Sequence, residues 1–165
     1  MVLQDFDNDG DLDLYIVSGG NEFEPNTPIL KDRVYVNDGN GSFSFSDESV
    51  PNNFSSGMRV SIEDYDKDGD LDLFVGGRVL PGSYPLPADS YLLVNQSSKD
   101  KIRFVNADYS DFPFRDIGLV TSSVWVDYNN DNWKDLVVVG EWTPIKFFKN
   151  IDGKFSEDKS MIDED

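Results

Sequence analysis

A chain of 165 residues, 38% apolar and 13% aromatic, can bury the core of one domain and is too apolar for a disordered acidic tail. Its 32 acidic side chains against 14 basic ones leave a formal charge of -18, which repels nucleic acid and phospholipid headgroups and so excludes both as partners. With neither cysteine nor histidine, disulfides, thiolate chemistry, the usual zinc sets and His-dependent triads are excluded too, and only oxygen ligands, suited to hard cations, remain in quantity.

In chain order the first motif is DFDNDGDLD, from Asp5 to Asp13, five aspartates in nine residues. It returns as DYDKDGDLD at Asp64 and, degraded, as DYNNDNWKD at Asp127, a repeat of about 60 residues. An aromatic follows the first aspartate each time (Phe6, Tyr65, Tyr128), and a short apolar run follows the last. Downstream, each copy has an apolar run that stops at an asparagine (Asn37, Asn95, Asn150) and restarts at a phenylalanine (Phe43, Phe104, Phe155). Asp-Gly in two of these turns supplies the positive φ that tight hairpins need. Ahead of the second loop, Met58, Val60 and Ile62 alternate with Arg59 and Ser61, as in a half-buried strand.

Each unit therefore reads as four short strands, and the chain as all-β. Four-stranded antiparallel repeats, none able to bury both faces alone, predict β-propeller blades, here a partial propeller of about three. Residues 1–165 form one repeat domain: blade 1 over 1–47 with its first strand truncated, blade 2 over 57–107, blade 3 over 118–157, and an acidic tail over 158–165. End blades with open edges predict self-association with other copies.

The acidic loops read as metal sites. Carboxylates at loop positions 1, 3, 5 and 9, with a glycine bend at 6 and a carbonyl at 7, wrap one ion in the oxygen ligands that calcium prefers. The first set is Asp5, Asp7, Asp9 and Asp13 with the Asp11 carbonyl; the second is Asp64, Asp66, Asp68 and Asp72 with the Asp70 carbonyl. The third is Asp127, Asn129, Asp131 and Asp135 with the Trp133 carbonyl. One neutral ligand and Asn132 in place of glycine make it the weakest of up to three calcium sites. An EF-hand is excluded, since position 12 is Ile16, Val75 or Val138 where a bidentate glutamate is required. Magnesium, which holds its waters, suits such a cage less well.

The DxDxDGxxDL loop and the N-turn-F hairpin resemble the FG-GAP/VCBS repeats of integrin-α-type β-propellers. GGRVLPGSYPLPADSYLLVN and VVVGEWTPIKFFKN are similar to segments of large exported bacterial VCBS-repeat proteins. The resemblance runs from Val2 to about Phe155. It implies blades in a ring, with calcium in the loop between the first two strands of a blade.

With the ion as a staple, function falls to the long loops Ser18 to Asp32 and Gly77 to Ser90. Phe23, Arg78 and Tyr84, with Trp142 beyond them, are candidate anchors for a protein or glycan partner, set against ordinary packing between blades. The leading expectation is a non-catalytic, calcium-stabilised module for recognition or adhesion. The alternatives are the propeller portion of a glycan hydrolase or lyase and a structural spacer in a large surface protein. Calcium sites of this kind fill at extracellular concentrations, which predicts the cell surface, the extracellular space or the periplasm. No membrane insertion is expected, since no run reaches roughly 18 apolar residues, and no secretion signal follows Met1, so any export signal would lie outside this segment.

Overall fold

The structure is a computed structural model and describes residues 1–99, 101–108 and 113–162; residues 163–165 of the expected acidic tail lie outside these. Among the described residues, twelve strands make three four-stranded antiparallel sheets in simple chain order. The first contains β1 (Val2–Gln4), β2 (Asp13–Ile16), β3 (Arg33–Asn37) and β4 (Phe43–Ser46). The second contains β5 (Gly57–Glu63), β6 (Asp72–Gly77), β7 (Tyr91–Asn95) and β8 (Phe104–Asn106). The third contains β9 (Leu119–Val126), β10 (Asp135–Glu141), β11 (Thr143–Ile151) and β12 (Lys154–Glu157). Among the described residues there is no α-helix, only short 3-10 turns. The all-β reading and the four-stranded blade are borne out.

The sheets stack face to face, and period-two alternation divides their side chains between two cores. On the middle sheet, Leu73, Val75, Tyr91 and Leu93 pack with Tyr15 and Val34 of the first. Phe74 and Leu92, on the opposite face, pack with Leu136, Val138 and Phe148 of the third. Every residue of β6 is buried as a result, which explains why its sequence is a continuous apolar run. Gly57 and Gly76 let neighbouring sheets approach: a Cβ on either would lie 2.5 Å from a valine methyl of the adjacent sheet, Val17 and Val120 respectively.

The alternation expected in β5 holds only in part. A register shift between Gly57 and Arg59 puts Met58 in solvent, and Ser61 on the supposedly polar face is buried, its Oγ 2.9 Å from that of Ser123 on β9. The strand packs on both faces, because the first strands of adjacent blades lie side by side. Blade 1 shows the converse. Phe43 and Phe45 are exposed, whereas Phe104 and Phe155, which correspond to Phe43, are buried against the preceding blade.

An asparagine at or next to the end of the third strand ties blades 2 and 3 to the blade before each. Asn95 Nδ2 donates to the Phe6 carbonyl of the first sheet's loop at 3.0 Å, and Asn150 Nδ2 donates to the Tyr65 carbonyl of the second at 2.8 Å. Asn150 also donates to the Lys134 carbonyl and accepts from the Gly153 amide in the Asp152-Gly153 turn, where both residues have positive φ. Asn37 donates to Leu12 of its own blade, and its Oδ1 has no partner. A second tie is Asp32, buried between blades 1 and 2, which accepts from Tyr15 and Tyr91 hydroxyls at 2.5 and 2.6 Å and from the Ser18 amide at 2.7 Å. Burial pushes its carboxyl up to about 6 in spite of these donors.

Asn150→Ala, which strands three backbone groups, is expected to cost more than about 2 kcal/mol in urea unfolding, and Asn37→Ala, which loses only a bond within its own blade, less than about 1 kcal/mol. Equal losses at the two positions would refute the blade-tie role.

Candidate metal centres

Strand polarity puts the β1–β2, β5–β6 and β9–β10 loops at one end of the stack, and all three share one backbone course. Position 4 is left-handed in each, at Asn8 (φ 60°), Lys67 (φ 62°) and Asn130 (φ 60°). Position 6 is also at positive φ: Gly10 at 105°, Gly69 at 97° and Asn132 at 69°. Asn132 therefore fills the glycine's place without breaking the turn, because asparagine tolerates the left-handed region.

Turn hydrogen bonds repeat as well. The position 6 amide donates to the first carboxylate (Gly10 to Asp5, 3.1 Å; Gly69 to Asp64, 3.2 Å; Asn132 to Asp127, 2.9 Å). The position 7 amide donates to the fifth (Asp11 to Asp9, 3.0 Å; Asp70 to Asp68, 2.9 Å; Trp133 to Asp131, 2.9 Å). The ninth carboxylate, fully buried at Asp13, Asp72 and Asp135, receives the amide of the strand-ending asparagine at 3.0, 2.8 and 2.8 Å. Asp13 and Asp135 also receive the amide of the aromatic at position 2, Phe6 at 3.2 Å and Tyr128 at 3.3 Å. The repeated aromatic and asparagine were visible as sequence landmarks, but their backbone roles were not; the signal was their fixed distance from the loop.

The donor sets converge at two loops. Carboxylate oxygens of Asp5, Asp7 and Asp13 lie within 4.8 Å of one another, as do those of Asp64, Asp66 and Asp72. Asp9, Asp68 and Asp131 spend one oxygen on the turn. In the third loop only Asp127 and Asp135 are acidic at the converging positions, the third being Asn129, whose Oδ1 accepts from the Asp131 amide at 2.9 Å.

The residues present fit a hard cation. Both oxygens of buried Asp7, one of Asp64 and one of Asp72 are sheltered from solvent with no hydrogen-bond donor. Burial first, then repulsion from Asp9 and Asp13, pushes the Asp7 carboxyl up to about 6; burial, then Asp66 and Asp68, pushes Asp72 to about 8. Such groups want a counter-charge, and oxygen-only ligation suits calcium. The loops also touch. Asn8 Nδ2 reaches Asp70 Oδ1 at 3.3 Å, and Lys67 Nζ sits 3.8 Å from the centre of the Trp133 ring.

At the other end of the stack three of the four proposed anchors meet. Arg78 pairs with Glu141 through Nη2 and Oε2, Tyr84 donates to Glu141 Oε1 at 2.7 Å, and Trp142 Nε1 donates to the Tyr84 hydroxyl at 2.6 Å. Trp142 is 81% exposed and Tyr84 54%, so neither is a packing residue between blades. Phe23 stands apart from them, lining a cavity of about 640 Å³ with Val17, Ile29, Phe45 and Phe54. Glu141 was not foreseen, since an isolated glutamate in so acidic a chain carries no signal.

The raised carboxyls set a pH dependence. A folded value above the ordinary 3.9 or so means stability that is full below that pH and lost as pH rises through the folded value. Asp32 and Asp7 complete this near 6, and of these three only Asp72, near 8, still titrates between pH 6 and 8. Calcium-free protein is expected to lose stability over that window, by at most roughly 1.4 kcal/mol per pH unit. Chemical unfolding at pH 6, 7 and 8 tests this, and a slope that Asp72→Asn leaves intact would rule the assignment out.

No curated protein and no solved structure matches the chain. Residues 5–75, from the first acidic loop through β6, match the family described as FG-GAP-like repeat. Residues 5–75 therefore carry an FG-GAP-like repeat, within a chain of three stacked four-stranded sheets, each with an acidic loop ahead of its second strand.

Proposed function

We propose that the chain is a calcium-stabilised β-propeller module for recognition or adhesion outside the cell, without catalytic activity of its own. The observation that carries the reading is Asp7, a buried carboxylate with both oxygens unpartnered, converging with Asp5 and Asp13. In the reading, Asp5, Asp7, Asp9 and Asp13 with the Asp11 carbonyl hold one ion, and Asp64, Asp66, Asp68 and Asp72 with the Asp70 carbonyl a second. Asp127, Asn129, Asp131 and Asp135 with the Trp133 carbonyl hold a third more weakly. Binding would supply the charge that keeps each loop closed, fixing the turn between the first two strands of a blade.

Two carboxylates outside the acidic loops are consistent with a non-catalytic role. Asp32 is sealed by two tyrosines, and Glu141 is clamped by Arg78 and Tyr84, so both are engaged in contacts that join blades. Arg78, Tyr84 and Trp142 offer the recognition surface. Self-association, in this reading, uses the open face of blade 1, where Leu3, Phe43 and Phe45 are exposed. An extracellular setting follows from the affinity expected of loops that lack helical support.

Calorimetric titration with calcium is expected to give two sites tighter than a third. Saturating calcium should raise Tm by several degrees over excess chelator, magnesium should do so less, and Asp7→Asn with Asp66→Asn should abolish most of the shift. A Tm indifferent to calcium and chelator alike would overturn the reading.

A further inference from the structure

The β10–β11 turn carries an unusual residue. Trp142 has φ 55°, in the left-handed region that turns normally give to glycine or asparagine. A bulky side chain there is strained, and this one recovers little through burial, being 81% exposed. Fold stability alone would favour glycine or asparagine, so the indole serves something outside the fold.

Its surroundings say what. The indole N–H is held by the Tyr84 hydroxyl, which is held by Glu141, which is held by Arg78. This chain joins the β6–β7 loop of blade 2 to the β10–β11 turn of blade 3 and fixes the ring before any partner arrives. Pre-organisation of this kind lowers the entropic cost of binding. Arg78 Nη1 keeps an unpaired donor. Both hydrogen bonds draw the Glu141 carboxyl below the usual carboxylate range, so it stays ionised and keeps its grip on Arg78.

We propose that Trp142, Tyr84, Arg78 and Glu141 form a binding site for a neutral saccharide, with the Trp142 ring as its platform. This deepens the recognition reading and rests on it. A pyranose has one face of C–H groups, whose partial positive charge suits the negative face of an indole, and a rim of hydroxyls that suits the polar groups beside it. A protein partner would need about 800 Å² with an apolar centre, whereas this ring sits among hydrogen-bonding groups. Acidic glycans are disfavoured, because Glu141 neutralises Arg78 and the whole chain carries -18.

The test titrates the full chain, in calcium, with neutral glucan, xylan, mannan and chitin oligosaccharides by calorimetry, alongside a microarray of neutral and acidic glycans. At least one neutral class is expected to bind saturably. Trp142→Asn, which suits the left-handed turn, should keep Tm and the calcium shift yet lose at least tenfold in affinity, and Trp142→Phe should retain most of it. Silence from every neutral saccharide, binding confined to acidic glycans, or full affinity in Trp142→Asn would each overturn the site. Should the calcium shift persist while all sugars fail, the saccharide proposal falls and the metal reading stands; a protein ligand blocked by Trp142→Asn would assign the cluster to protein recognition instead.

Discussion

The most demanding interaction in this molecule is the mutual repulsion of carboxylates that the fold itself forces together. Asp13, Asp72 and Asp135 are buried because each uses a carboxylate oxygen to hold the amide that ends a third strand. They are thus part of the sheet's hydrogen bonding and cannot leave. Once fixed, they bring Asp7 and Asp66 against them, and the turn's own amides satisfy only some of the oxygens. Protonation can relieve this at the cost of a proton-dependent fold, as the raised Asp7 and Asp72 values indicate. A divalent cation would relieve it by displacing those protons and supplying the counter-charge in their place.

The stack inherits its register from the same residues. The asparagine whose amide rests on the ninth carboxylate sends its side chain to the carbonyl of the preceding loop's aromatic. Acidic loop, third strand and neighbouring blade therefore form one hydrogen-bonded chain, and disturbance of a loop is felt at the junction between sheets. Direct contacts from Asn8 to Asp70 and from Lys67 to the Trp133 ring add coupling along the row of loops. In the first blade, Asn37 instead donates to Leu12 of its own blade, and Phe43 and Phe45 of β4 are exposed.

Period, strand order and ligand spacing could be read from sequence because they are local: a 1, 3, 5, 9 pattern and a two-residue alternation need no knowledge of neighbours. What escaped reading depends on partners far along the chain. Met58 looked buried by alternation and is exposed because of a bulge, and Ser61 looked exposed and is covered by blade 3. Asn132 looked like a defect, yet its φ of 69° falls where asparagine is at home. Arg78, Tyr84 and Trp142 could be singled out by residue type, but only folding brings residues some sixty positions apart onto one carboxylate, Glu141.

Strand polarity gives the two ends of the stack different physical characters. One end concentrates carboxylates that the fold forces together; the other carries a strained, exposed indole whose position is fixed by a chain of hydrogen bonds between blades 2 and 3. That chain is only as rigid as the junction beneath it, where Phe74 and Leu92 pack on Leu136, Val138 and Phe148 and Asn150 spans to Tyr65. Asn150 rests in turn on Asp135, the ninth ligand position of the third loop. The third loop, at one end of β10, is thus joined through Asp135 and Asn150 to the same blade junction that carries the Trp142 turn at the other end.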